Sequence, residues 1–145
     1  MKKYSFLLSP LMLAAANSLA CSFPASTLNQ QTEKADEIFI ATLIEAKLLP
    51  KDSRHEWPWI EGRFQVKKVL KGGVQPKDIT LATGLGRGDC GVGMMVSWNY
   101  VIFKGRKETG IGVPNGTRLI EDFEEGELIE QIQSIMRQQK TKQKR

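Results

Sequence analysis

Few residues in this 145-residue chain are of a type that does chemistry. Its thiols are Cys21 and Cys90, and its one imidazole is His55. A single histidine excludes a multi-histidine metal centre within one chain, and two cysteines exclude a four-cysteine zinc site. His55 lies between Arg54 and Glu56, and no nucleophile or second ligand is paired with it by spacing. It reads as an exposed loop residue. The run Gly84-Leu85-Gly86-Arg87-Gly88 has the glycine content of a phosphate loop but neither the Lys-Ser/Thr ending nor the helix that should follow. It reads as a flexible connection that lets the chain bring Cys90 toward Cys21. The acids Glu121, Asp122, Glu124, Glu125 and Glu127 crowd the start of an apolar-periodic stretch. Their place at the positive end of a helix dipole explains them better than cation binding does. No catalytic residue, no metal site of its own and no cofactor are expected, so the chain does not read as an enzyme.

Cys21 is the most informative position because of what precedes it. Lys2 and Lys3 open a segment with an apolar run, Leu7 to Ala16, followed by Ser18 and Ala20 at positions −3 and −1 of a cut before Cys21. This is the layout of a cleaved signal peptide over residues 1–20. The run is too short to span a bilayer of ~30 Å as a helix. A rival reading makes Cys21 a lipidated lipoprotein cysteine, but Ser18 and Leu19 fit that signal poorly. The expected location is the periplasm or the exterior. In an oxidising compartment two cysteines most often pair, with two free or buried thiols as the alternative. A bond between them would close a loop of about 70 residues, for which chain entropy assigns roughly 4 kcal/mol. It would also pin the terminal α-amine, whose reference pKa of about 7.7–8.0 leaves a neutral fraction near pH 7. That lone pair and the Cys21 carbonyl oxygen could chelate a metal held by another protein in a five-membered ring, because a catalytic zinc keeps one position open.

Charge argues against nucleic-acid binding, as does export. The net charge is +5, and removing Lys2 and Lys3 with the leader lowers it to +3. The tail residues Arg137, Lys140, Lys142, Lys144 and Arg145 exceed that by themselves, so residues 21–136 carry −2. A nucleic-acid protein needs a basic face on its folded body. The tail reads as a solvated end, with loose contact to anionic lipid or polysaccharide as the sharper alternative.

The elements that must position these residues read mostly as strands. In Ile38–Leu43 both alternating faces are apolar, as in a central strand covered on two sides. Ile60, Phe64 and Val66 share one parity that Val69 and Leu70 break, which predicts a bulge near Lys67-Lys68. Asp78–Thr83, Met94–Val96 and Tyr100–Phe103 supply further strand residues. Ile111–Val113 and Leu119-Ile120 are expected to pair around a Pro114-Asn115-Gly116 turn. Trp57 and Trp59 are expected to cap one end of the barrel, or else to form a binding surface. Asp122 with Glu125 three residues on marks a helix start, and Leu128, Ile129, Ile132, Ile135 and Met136 form its apolar stripe. The expectation is a mainly β fold, a small OB-fold-like barrel of five or six strands over residues 21–121, with a C-terminal α-helix and a basic disordered tail over 122–145.

The opening Cys21-Ser22-Phe23-Pro24 resembles that of the netrin-like domains, in particular the tissue inhibitors of metalloproteinases. The pieces Ala35–Ile40, Phe64–Gly72, Cys90-Gly91-Val92 and Tyr100–Phe103 match in order and spacing over roughly residues 21–104. The chain departs from the animal inhibitors in having Phe23 at their third-position cysteine and Pro24 one residue early. The resemblance implies an OB-type barrel, a Cys21–Cys90 bond, and a zinc metalloprotease as partner. It also implies that the Cys21 amine and carbonyl bind that protease's zinc. The Ser22 side chain would then enter the pocket beside the metal, and Gly88 and Asp89 would form a second contact edge. Netrin-like domains also serve as non-inhibitory binding modules. The alternative is therefore an envelope or extracellular protein-binding module, with lipid at Cys21 as a variant of it.

Overall fold

The run Ile38-Phe39-Ile40-Ala41 is fully buried on both faces, and the fold is organised around it. A computed structural model describes residues 21, 23–73, 75–86 and 88–143. The elements in chain order are α1 (Leu28–Lys34), β1 (Glu37–Leu49), β2 (Trp59–Lys71), β3 (Asp78–Thr83), β4 (Asn99–Lys104), β5 (Arg118–Ile120) and α2 (Asp122–Gln143). The strands form one five-stranded antiparallel sheet in the order β3-β2-β1-β4-β5. Residues of one parity on β1, Ile38 and Ile40, pack with Val101, Phe103 and Ile120 under Leu128, Ile129 and Ile132 of α2. The other parity, Phe39, Ala41 and Leu43, faces a second core with Phe64, Leu81, Tyr100, Ile102 and Ile111. The Phe64 and Tyr100 rings meet edge-on there, with centroids 5.5 Å apart. The two-sided burial read from β1 is what the structure has.

The sheet curls because its longest pair is irregular. β1 and β2 run antiparallel over 13 residues each, and their register shifts at three places. One shift falls where Ile40 faces Lys68 and Ala41 faces Val66, leaving Lys67 as the extra residue. A bulge adds local twist and bends its strand. The curled sheet then meets itself. The segment after β4 returns to the free edge of β3, where the Ala82 N–H donates to Thr109 O and the Ile111 N–H donates to Ala82 O, both at 2.8 Å. This short parallel bridge between Ala82 and Gly110 completes a small barrel-like body with α2 packed on it.

Three local readings change. Met94–Val96 is a loop, because the Tyr100 hydroxyl donates to Gly93 O at 2.8 Å and accepts from the Met95 N–H at 2.7 Å, drawing that segment inward. Ile111–Val113 does not pair with Leu119-Ile120. It is committed to β3 and a 3₁₀ turn at Val113–Asn115, while β5 pairs with β4. The helix α1 was not expected. It starts with a capping box in which Thr27 and Gln30 satisfy each other's backbone N–H groups.

One ion pair is buried within the sheet. The Lys104 ammonium, 4% exposed, donates to Glu37 Oε2 at 2.6 Å and to Gly105 O at 3.0 Å, tying β4 to the start of β1. At the other end of the same strand pair, Asn99 accepts from Thr42 Oγ1 at 2.7 Å and donates to Asp122 Oδ1 at 3.0 Å. That amide links β1, β4 and the first turn of α2.

Candidate functional site around the Cys21–Cys90 bridge

Cys21 and Cys90 form a disulfide, with their Cα atoms 5.1 Å apart. Among the described residues there is no free cysteine. The bridge ties the chain ahead of α1 to the segment that follows β3. Both cysteines are half-buried. Residues 1–20, read as a leader, and Ser22 lie outside the described residues, as do Arg87 and the last two residues of the tail.

The glycine-rich segment is not the slack connection its composition suggests. It winds around the Asp89 carboxylate, which accepts from the N–H groups of Leu85 at 2.6 Å, Gly86 at 2.7 Å and Gly91 at 3.1 Å. Burial alone would raise the Asp89 pKa. The Leu85, Gly91 and Gly86 N–H groups outweigh it and hold the carboxyl below its ordinary range. Two glycines are required by conformation, Gly86 at φ +74° and Gly88 at φ +93°, and Cys90 itself sits at φ +58°. On the far side of the cysteine, Cys90 O accepts from the Val113 N–H at 3.1 Å. The expected edge residues Gly88 and Asp89 therefore stand directly beside the bridge, both on the exposed side.

A cleft of about 420 Å³ opens next to this ridge. Its lining includes Gly84, Asp89 and Cys90 together with His55, Trp57, Trp59 and Ile111. Trp57 is 68% exposed, so it does not cap the barrel as a buried residue would. Trp59 is half-buried and stacks on His55, with ring centroids 4.3 Å apart and planes 20° apart. His55 is in turn oriented by Asp52, whose Oδ1 lies 2.9 Å from Nδ1 and also accepts from the Arg54 and His55 N–H groups at 2.8 Å. The Arg54 N–H, with the His55 groups, lowers the Asp52 pKa against the opposing effect of burial. Sequence reading set His55 aside. The Asp52-Ser53-Arg54-His55 spacing, which suits an aspartate-closed turn, was the available sign that it is held.

The structure thus brings together Cys21, Gly88, Asp89 and Cys90, and the Trp57/Trp59 pair lines the same cleft as Asp89 and Cys90. Among the described residues no cluster of three or more His, Cys, Asp or Glu side chains could hold a metal ion. Of the α2 acids, Asp122, Glu124 and Glu125 lie in the first turn of the helix. Asp122 and Glu125 accept from Asn99, and Glu125 also faces Lys67 at 3.7 Å.

No family model matches the chain, and no curated protein matches it. Among solved structures it is similar to excretory-secretory protein 2 of Ancylostoma ceylanicum, at a TM-score of 0.41 and 14% identity over 72% of this chain and 88% of that one.

Proposed function

We propose that this is an exported netrin-like protein that inhibits a zinc metalloprotease, the Cys21 α-amine and carbonyl oxygen capping the protease metal once the residues ahead of Cys21 are removed. The observation that carries the reading is the Cys21–Cys90 disulfide. A main-chain chelator works only if it is held still, since ordering a free terminus on binding costs entropy. The bridge meets that cost in advance and sets residue 21 beside the Gly88–Asp89 ridge. Export is in keeping with a disulfide, and no described helix is long and apolar enough to cross a membrane. The protein supplies two ligand atoms and no metal. The zinc, and the open position it offers, belong to the protease.

The test compares three forms of the disulfide-bonded protein against a panel of zinc metalloproteases. One begins at Cys21, one carries a single extra residue ahead of it, and one has its α-amine acetylated. Inhibition by the first alone, with a loss of at least about a hundredfold in the other two, supports the mechanism. Equal inhibition by the extended form overturns it.

A second reading is favoured by the exposed Trp57 in the lining of the cleft. There the protein is a binding module that uses Trp57 and Trp59 and is indifferent to its terminus. Exposed tryptophan is a common interface anchor. A Trp57→Ala/Trp59→Ala variant that stays folded would lose its partner under this reading. Under the first it would keep the terminus-dependent inhibition.

A further inference from the structure

The ridge beside the disulfide is built from within by one side chain. We propose that Asp89 is a positioning residue whose carboxylate organises residues 84–86 and 88–91 and so presents Cys90 to Cys21, fixing where residue 21 stands. Its three donors come from both limbs of the loop, Leu85 and Gly86 before it and Gly91 after it. At the base of the loop the Thr83 hydroxyl adds one further tie, accepting from the Val92 N–H at 2.8 Å. The limbs also touch. A Cβ on Gly84 would run into the Asp89 carboxylate, and one on Gly91 would run into the Gly84 carbonyl.

Backbone N–H groups converging on one oxygen pair make the concave nest in which proteins hold small anions. Here the occupant is covalently attached. The geometry it enforces is not one a free chain would choose, because a cysteine at φ +58° is strained relative to extended backbone. With the nest filled, Cys90 is clamped upstream by Asp89 and downstream by the Val113 N–H. Its sulfur meets Cys21 at high effective concentration. With the nest empty, the loop gains conformations in the dithiol state and the bond becomes easier to reduce. The ionised carboxylate is the form that matches three donors, in line with the low pKa of this group.

The experiment measures the equilibrium between disulfide and dithiol in the mature chain against dithiothreitol, at neutral pH. Asp89→Ala should shift it toward the dithiol by about tenfold, the scale of one charge-assisted hydrogen bond. Sodium formate, a free carboxylate small enough for the vacated nest, should restore most of that shift. An equal concentration of sodium chloride should not, and the unmutated protein should respond to neither. A purely structural loss of packing would not be repaired by formate. An unshifted equilibrium in Asp89→Ala, or a shift indifferent to formate, overturns the assignment. If Asp89→Ala does not fold, Gly84→Ala displaces the carboxylate with Asp89 still present. The same direction of shift supports the role, and no shift overturns it. The step from disulfide to inhibition rests on the function proposed above. If the formate-dependent shift appears but the unmutated protein inhibits no metalloprotease, the inhibitor reading falls and the role of Asp89 stands.

Discussion

At the scale of residues, Lys104 and Glu37 show what a buried pair demands. Both charges are removed from water, and their attraction is supplemented by backbone carbonyls around the ammonium. Removing one partner strands the other. Lys104→Met is expected to cost about 3–5 kcal/mol in chemical denaturation, and Lys104→Met/Glu37→Leu should recover a large part of it. A double variant no more stable than the single one would mean that the carbonyl contacts matter more than the charge pair. Neither member of the pair was legible in the sequence, since the two are 67 positions apart and each looks like a surface charge. Asp89 was read as part of a contact edge but not as the centre of its loop. Its partners are main-chain donors, which leave no trace in side-chain types. The cysteines were legible because only two exist, and an oxidising destination favours pairing them.

At the scale of elements, apolar periodicity carried the strong readings and failed where a side chain overrode it. β1 announced itself by apolar residues on both parities, and α2 by a stripe of which Leu128, Ile129 and Ile132 are buried. Ile132, fully buried against the sheet, anchors that stripe. Ile132→Ala should lower stability by about 2–5 kcal/mol in a urea titration, with little change in slope if only the helix packing is loosened. Met94–Val96 misled because three apolar residues beside a strand look like strand, while the Tyr100 hydroxyl holds them out of the ladder. α1 was missed because just one of its seven residues, Thr32, is buried, which leaves almost no stripe to see. The Thr27–Gln30 box was its readable signature.

At the scale of the whole molecule, the small barrel with a terminal helix was legible and its closure was not. The bridge that closes it uses Thr109, Gly110 and Ile111 through their backbones, in a segment whose apolar residues suggested a different partner. The disulfide spans 69 positions and encloses β1, β2 and β3. Reducing it should lower the free energy of unfolding by roughly 4 kcal/mol, read as an earlier guanidinium midpoint in the presence of reductant. An unchanged midpoint would mean that the barrel core alone holds the N-terminal segment in place.

That covalent ring has a consequence for the order in which the molecule is assembled. The ring holds β1 with β2 and β3, but the other edge of β1 is covered by β4, which lies outside it. A chain emerging from its N-terminus can form the bridge once Cys90 is out, before Asn99–Lys104 has appeared. A chain oxidised and folded in that interval would present β1, with Ile38, Phe39 and Ile40, as an open edge, the kind of template that recruits foreign strands. Early oxidation would lock the meander without sealing it, and the arrival of β4 is the event that ends the exposure.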